Sequence, residues 1–301
     1  MFAEIFSSVL LPLVLIASAA FALGRLMRLD PGPLARTSFY LFNPSLAFVT
    51  MASTVVSPGM LGRLALLKIL VLAVMIPLAF MLAGRLTLSG PAGSAFALAA
   101  GFANSGNFGL SVSEYAFGAA GLALAVICYV TDNVMINSVG VYLAARGRAS
   151  VRRAFLQMFR NPALYAVPMG LAVRQLSVTV PLPLNRTLEM LSRAAVPTML
   201  VVLGLQLARL PLGSSNRTVI GLASVLRLLV APSLALLLSI PLGLTGLAQQ
   251  VGVLQCAVPT AVTASVIADR FDAEPNLVAG AVLVSSVGSL ITVTALLSWM
   301  S

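Results

Sequence analysis

The chain has 301 residues, 59% of them hydrophobic and only 9% charged, with a mean hydropathy of +1.04. Soluble domains hold about 45–50% apolar and about 25% charged residues, so a soluble fold is excluded and an integral membrane protein is expected. In such a chain the formal charge of +10 reports loop orientation rather than nucleic-acid binding, and the absence of histidine removes imidazole base chemistry and histidine metal ligation.

The first apolar run follows Glu4 and precedes Arg25 and Arg28. A secretory leader has its basic segment first, so this run reads as a retained span despite the cleavable-looking Ala17-Ser18-Ala19. About 20 apolar residues cross a ~30 Å hydrocarbon core. That ruler places ten spans at 5–27, 34–53, 61–84, 92–117, 119–144, 161–178, 187–208, 218–243, 247–270 and 276–299. The runs do not alternate in hydrophobicity as barrel strands do, so all are read as helices. Cys128 and Cys256 lie in separate apolar segments and read as small core residues, supporting neither a disulfide framework nor a metal site.

Proline spacing points to a duplication. Pro12 precedes Pro168 by 156 residues, Pro44 precedes Pro197 by 153 and Pro77 precedes Pro232 by 155, while "EYAFGAAGLA" lies 154 before "ADRFDAEPNL". With five spans per copy the second half enters the membrane from the opposite side, which makes the expected fold an all-α polytopic membrane protein with a 5+5 inverted repeat. The halves are 1–145 and 161–301, joined by a basic amphipathic linker at 146–160 that suits an anionic lipid surface. Starting outside, this topology puts twelve arginines, from Arg25 to Arg270, on the inner side and Arg63, Arg174, Arg186 and Arg193 on the outer. Positive residues favour the cytoplasm, so both termini are expected outside a bacterial-type inner membrane.

The fourth span is interrupted by "GFANSGNFGL", Gly101 to Leu110. In lipid, unwound backbone is tolerated only where protein buries it or where it lines a cavity. The glycines permit unusual dihedrals, and Asn104, Ser105 and Asn107 supply hydrogen-bonding side chains. At the matching place in the ninth span, "CAVPTAVT" contains Pro259, which lacks a backbone donor, with the hydroxyls of Thr260 and Thr263. Small-residue helix packing is the alternative for either segment alone. Together they predict two broken helices crossing near the midplane, unwound at 104–107 and 258–260. Asn104, Ser105, Asn107, Pro259 and Thr260 are the candidate substrate-binding residues.

Among intramembrane charges, Asp132 in the fifth span is the clearest, with Asn133 and Asn137 beside it. A carboxylate there faces a polar cavity, takes a proton or meets a cation. Asp132, Asn133 and Glu114 are therefore the candidates for coupling, with protons and sodium both open. Lys68 and Arg227 can snorkel to the interface, attract an anion or neutralise Asp132. Glu189 and Arg193 are spaced to pair on one helix face, and Asp269 to Glu274 read as a solvated inner turn.

"GFANSGNFGL", "QCAVPTAVTASVIADRFDAEPNLVAGAVLVSSVGSLITV" and "FNPSLAF" together resemble the auxin efflux carrier family, which contains plant auxin exporters and bacterial permeases for malate or malonate. The likeness covers essentially the whole chain. It implies that Asn104 is the asparagine of the first crossover and Pro259 the proline of the second. It also implies a scaffold of spans one, two, six and seven, which can dimerise, and a moving transport unit of spans three to five and eight to ten. Gly109-Leu110-Ser111 departs from the family pattern, where proline usually stands at the last position.

The expected function is secondary transport of a small organic anion, auxin-like or a dicarboxylate, by elevator-type alternating access. The substrate and membrane lipids are the expected partners, without nucleic acid or a bound cofactor. No GxxxxGK[ST] phosphate loop is present. A channel or membrane ligand sensor is the alternative, and an intramembrane enzyme is less favoured, because Asp132 has no evident second acid.

Overall fold

The computed structural model describes residues 2–145, 159–211, 213 and 215–300. All of the linker expected at 146–160, apart from Phe159 and Arg160, lies outside them. Among the described residues the regular elements are helices, and the one extended pairing is an isolated antiparallel bridge between Ala103 and Thr260. Six helices among the described residues are long and apolar enough to cross a membrane. The protein is an all-helical integral membrane protein.

The elements in order are α1 (Phe2–Met27), α2 (31–53), α3 (Pro58–Arg85) and α4 (Gly90–Gly101). The long run Ser105–Ala144 is divided at Gly118, whose φ of +65° and ψ of −159° lie outside helical space, into α5 (105–117) and α6 (119–144). Then follow α7 (Ala163–Gln175), α8 (Leu182–Arg209), α9 (Arg217–Ser239), α10 (Gly246–Ala257), α11 (Val262–Arg270) and α12 (Pro275–Met300).

Local chemistry sets several starts. Ser57 caps α3 by accepting from the Met60 N–H at 3.3 Å, and Asn216 caps α9 by accepting from the Thr218 N–H at 3.0 Å. Pro58 and Pro91 sit in first turns, where a missing N–H costs nothing. α1 packs along α8, α2 against α7, α3 against α4, and α9 against α12. Outer faces expose apolar side chains such as Leu15, Leu237, Val287 and Ile291, which is where lipid replaces water as the solvent.

α4 and α10 are the innermost pieces. Every residue from Gly93 to Gly101 and from Val251 to Ala257 is buried. Both helices stop inside the protein, α4 before α5 and α10 before α11. The first interruption covers 102–104, two residues earlier than 104–107, and Ser105 already begins the next helix in a wide π turn. Phe102 takes extended dihedrals, while the Asn104 carbonyl accepts from the Gly109 N–H at 2.9 Å and starts the π turn. The second interruption covers 258–261. Val258 is extended, as the residue before proline prefers.

Candidate functional site

The two interruptions satisfy each other's backbone. The Asn104 N–H donates to the Pro259 carbonyl at 2.8 Å, and the Ala261 N–H donates to the Phe102 carbonyl at 2.9 Å. The Thr260 N–H donates to Ser285 Oγ at 3.0 Å. Such pairing is what permits non-helical chain at membrane depth, where water is absent and an unpaired amide is costly.

Each helix C-terminus leaves carbonyls without intrahelical donors and carries partial negative charge. Here side chains supply the donors. The Ala99 carbonyl accepts from Thr260 Oγ1 at 2.8 Å and the Gly101 carbonyl from Arg227 Nη1 at 2.8 Å. The Gln255 carbonyl accepts from Lys68 Nζ at 2.8 Å, and the Cys256 carbonyl from Arg227 Nη2. Lys68 and Arg227 are only 4% and 1% exposed, so neither snorkels. Lys68 also forms an ion pair with Asp132, Nζ to Oδ2 at 2.9 Å, and the same carboxylate oxygen accepts from Ser105 Oγ. The crossing therefore holds two cations against one carboxylate.

Beside it lies a cavity of about 160 Å³, lined by Asn104, Ser105, Asn107, Asp132 and Asn133 together with Ala261 and Thr263. An apolar cavity of roughly this volume accepts a benzene-sized ligand. The wall is rich in amides. Asn104 is 6% exposed, and its Nδ2 is buried without an acceptor among the described residues. Asn107 Nδ2 donates to Gln206 Oε1 on α8 at 3.2 Å. Asn133 Oδ1 accepts from Asn137 and Asn161 at 3.0 and 3.2 Å.

Three of the sequence candidates stand elsewhere. Pro259 and Thr260 do not line the cavity; they hold the crossing together through the Pro259 carbonyl and the fully buried Thr260 hydroxyl. Glu114 lines a separate, mainly apolar cavity with Tyr115 and Arg193. Arg193 is turned that way, while Glu189 accepts from Asn185 at 2.8 Å rather than from Arg193.

Gln206, Asn43 and Tyr129 were not singled out from sequence, yet all three line the cavity. Ser38 Oγ donates to Asn43 Oδ1 at 3.0 Å, and Asn43 Nδ2 donates to Tyr129 Oη at 2.9 Å. The available signal for Gln206 was a lone amide in "LGLQLAR", and for Asn43 its place in "FNPSLAF". Polar residues inside spans mark interior faces.

Buried helix breaks beside a polar, charge-bearing cavity define an integral membrane protein with an internal polar cavity at its crossing. The chain belongs to the membrane transport protein family, the auxin efflux carrier group, whose family model matches residues 144–297. It is 31% identical over 195 residues to an uncharacterized transporter of Methanothermobacter thermautotrophicus, an alignment covering 65% of this chain and 64% of that protein, less than two thirds of its length. An uncharacterized transporter of Methanocaldococcus jannaschii is 25% identical over 269 residues, 87% of this chain and 86% of the relative. The probable auxin efflux carrier component 1b of Oryza sativa subsp. japonica is 26% identical over 132 residues, 42% of this chain and 24% of that protein.

Proposed function

We infer that the protein is a secondary transporter that moves a small carboxylate-bearing organic anion by elevator-type alternating access. The observation that carries this reading is Asn104 Nδ2, a buried donor in the wall of the cavity without an acceptor among the described residues. An unsatisfied buried donor costs about 1–3 kcal/mol, and an arriving carboxylate removes that cost. The N-terminal turn of α5 adds favourable partial charge for an anion. The excess of buried cations over carboxylates at the crossing acts in the same direction.

In this reading the chain is a 5+5 inverted repeat. α4 with α5 forms the fourth span, and α10 with α11 the ninth. α1, α2, α7 and α8 form the scaffold, which is also the dimerising part, and the other helices form the moving unit. The axial packing of α1 on α8 and of α2 on α7 supports that division. Lys68 already gives Asp132 a cation, which makes a bound sodium ion unnecessary for its charge. Both termini face out from an inner membrane, and the family's transport character weighs against an enzyme.

The test is a thermal-shift panel of acetate, lactate, malonate, malate and indole-3-acetate on purified protein, followed by counterflow in proteoliposomes. Ligand binding to the folded state raises its stability by mass action. Saturable uptake with counterflow of a stabilising acid supports the carrier. A non-saturating current favours a channel, and binding without flux favours a sensor.

A further inference from the structure

We propose that Arg227 is the positioning residue of this site: one guanidinium clamps the carbonyl ends of both half-helices and thereby sets where the cavity's polar groups stand.

Arg227 lies in the π turn Leu226–Val230 of α9. It is the largest of the fully buried side chains, and it does not line the cavity. Its two terminal nitrogens go to different halves of the chain. Nη1 donates to Gly101, the last residue of α4, and Nη2 donates to Cys256, next to last in α10, while Nε has no acceptor among the described residues. Both acceptors sit at negative helix ends, so the two ends repel unless a cation stands between them.

The reach of the clamp is short on both sides. One residue beyond Gly101, the Phe102 carbonyl takes the Ala261 N–H; three residues beyond Cys256, the Pro259 carbonyl takes the Asn104 N–H. Asn104 and Ala261 both face the cavity. A change in the separation of the helix ends therefore acts first on these two amides and next on the cavity wall. Only a planar fork offers two nitrogens to two acceptors in a fixed relation; an ammonium keeps the charge but loses that geometry. Lys68 ties Asp132 to the α10 end, at the Gln255 carbonyl and Cys256 Sγ, but among the described residues it makes no bond to the end of α4.

The experiment uses the full-length protein in detergent and compares Arg227→Lys and Arg227→Met with wild type. Amide exchange at Asn104 and Ala261 is expected to rise at least about tenfold in Arg227→Lys, a loss of local protection, while amides inside α3 keep wild-type protection. A folded Arg227→Lys protein with unchanged exchange at both amides, or with an equal rise everywhere, overturns the proposal. A measurement on wild type serves if neither variant folds. The chain has two cysteines, Cys128 and Cys256, so carbonyl-¹³C cysteine gives two labelled bands. The clamp requires the Cys256 band to be shifted to lower frequency than that of Cys128, because its acceptor meets a charged donor; a single unsplit band overturns it. The proposal rests on the transport reading only for what the cavity holds. If the exchange signature is found and none of the five acids stabilises wild type, the clamp stands and the anion reading fails. If malonate or another acid binds and exchange is unchanged, the anion reading stands and the clamp fails.

Discussion

Lys68 Nζ and Asp132 Oδ2 are 2.9 Å apart inside the protein, joining α3 to α6 beside the end of α10. Two charges that would each be costly in the membrane are made compatible by contact, and the residual donors of the ammonium go to the Gln255 carbonyl and Cys256 Sγ. The Asp132 oxygen that takes Lys68 also takes the Ser105 hydroxyl, so this pair is tied directly to the first turn after the break.

Removing one partner leaves the other buried and uncompensated, at a cost of about 3–5 kcal/mol. Lys68→Met and Asp132→Asn are each expected to lower stability on that scale, and the double variant to recover most of the loss. Denaturant or thermal unfolding in detergent reads this as a double-mutant cycle; additive single effects would show that the pair carries no coupling.

Asn104→Ala separates binding from stability. It deletes a hydrogen bond to a charged ligand group, about 1.5–3 kcal/mol, so affinity for the best-stabilising acid of the panel should fall by roughly one to two orders of magnitude. The empty protein should be no less stable, because the deleted Nδ2 has no acceptor among the described residues. Calorimetric titration of folded variant at wild-type affinity would remove Asn104 from the site.

Thr260 in the second break and Thr263 in the first turn of α11 have different jobs. Thr260→Val strands the Ala99 carbonyl and is expected to lower stability by about 1–3 kcal/mol. Thr263→Val alters only the cavity wall, so it should change affinity and leave the unfolding midpoint in place. An exchange of these two outcomes would reverse the assignment.

Asn107 on α5 reaches Gln206 on α8 at 3.2 Å, across the proposed boundary between moving unit and scaffold. If α5 slides past α8, this bond exists in one end state only. Gln206→Leu should then shift the population away from this state by about 0.5–1.5 kcal/mol, roughly two- to tenfold. Single-molecule distance measurements between labels on α5 and α8 check it, and unchanged populations would argue against motion along that boundary.

Orientation is testable at two exposed turn positions. Leu176, after α7, is expected outside and Thr87, between α3 and α4, inside, from the distribution of arginines. With both native cysteines buried, Leu176→Cys should react with an impermeant maleimide on intact cells and Thr87→Cys only after permeabilisation. The opposite pattern would invert the topology.

Composition alone determined that this is a membrane protein, because no soluble fold can hide so much apolar surface. Periodicity and length determined that the spans are helices. Glycine, asparagine and proline marked the neighbourhoods of both interruptions, since dihedral freedom and a missing N–H are properties of single residues. Which side of each interruption faces the cavity was decided only in three dimensions. Asn104 and Thr260 looked equivalent as polar residues at a break, yet one keeps a free donor in the wall and the other spends its hydroxyl on Ala99. Nor does the sequence say that Lys68 meets Asp132, or that Arg227 meets residues 126 and 29 positions away. Those contacts are set by how α3, α6 and α9 pack around the ends of α4 and α10, and a buried charge selects its partner from whatever that packing brings within reach.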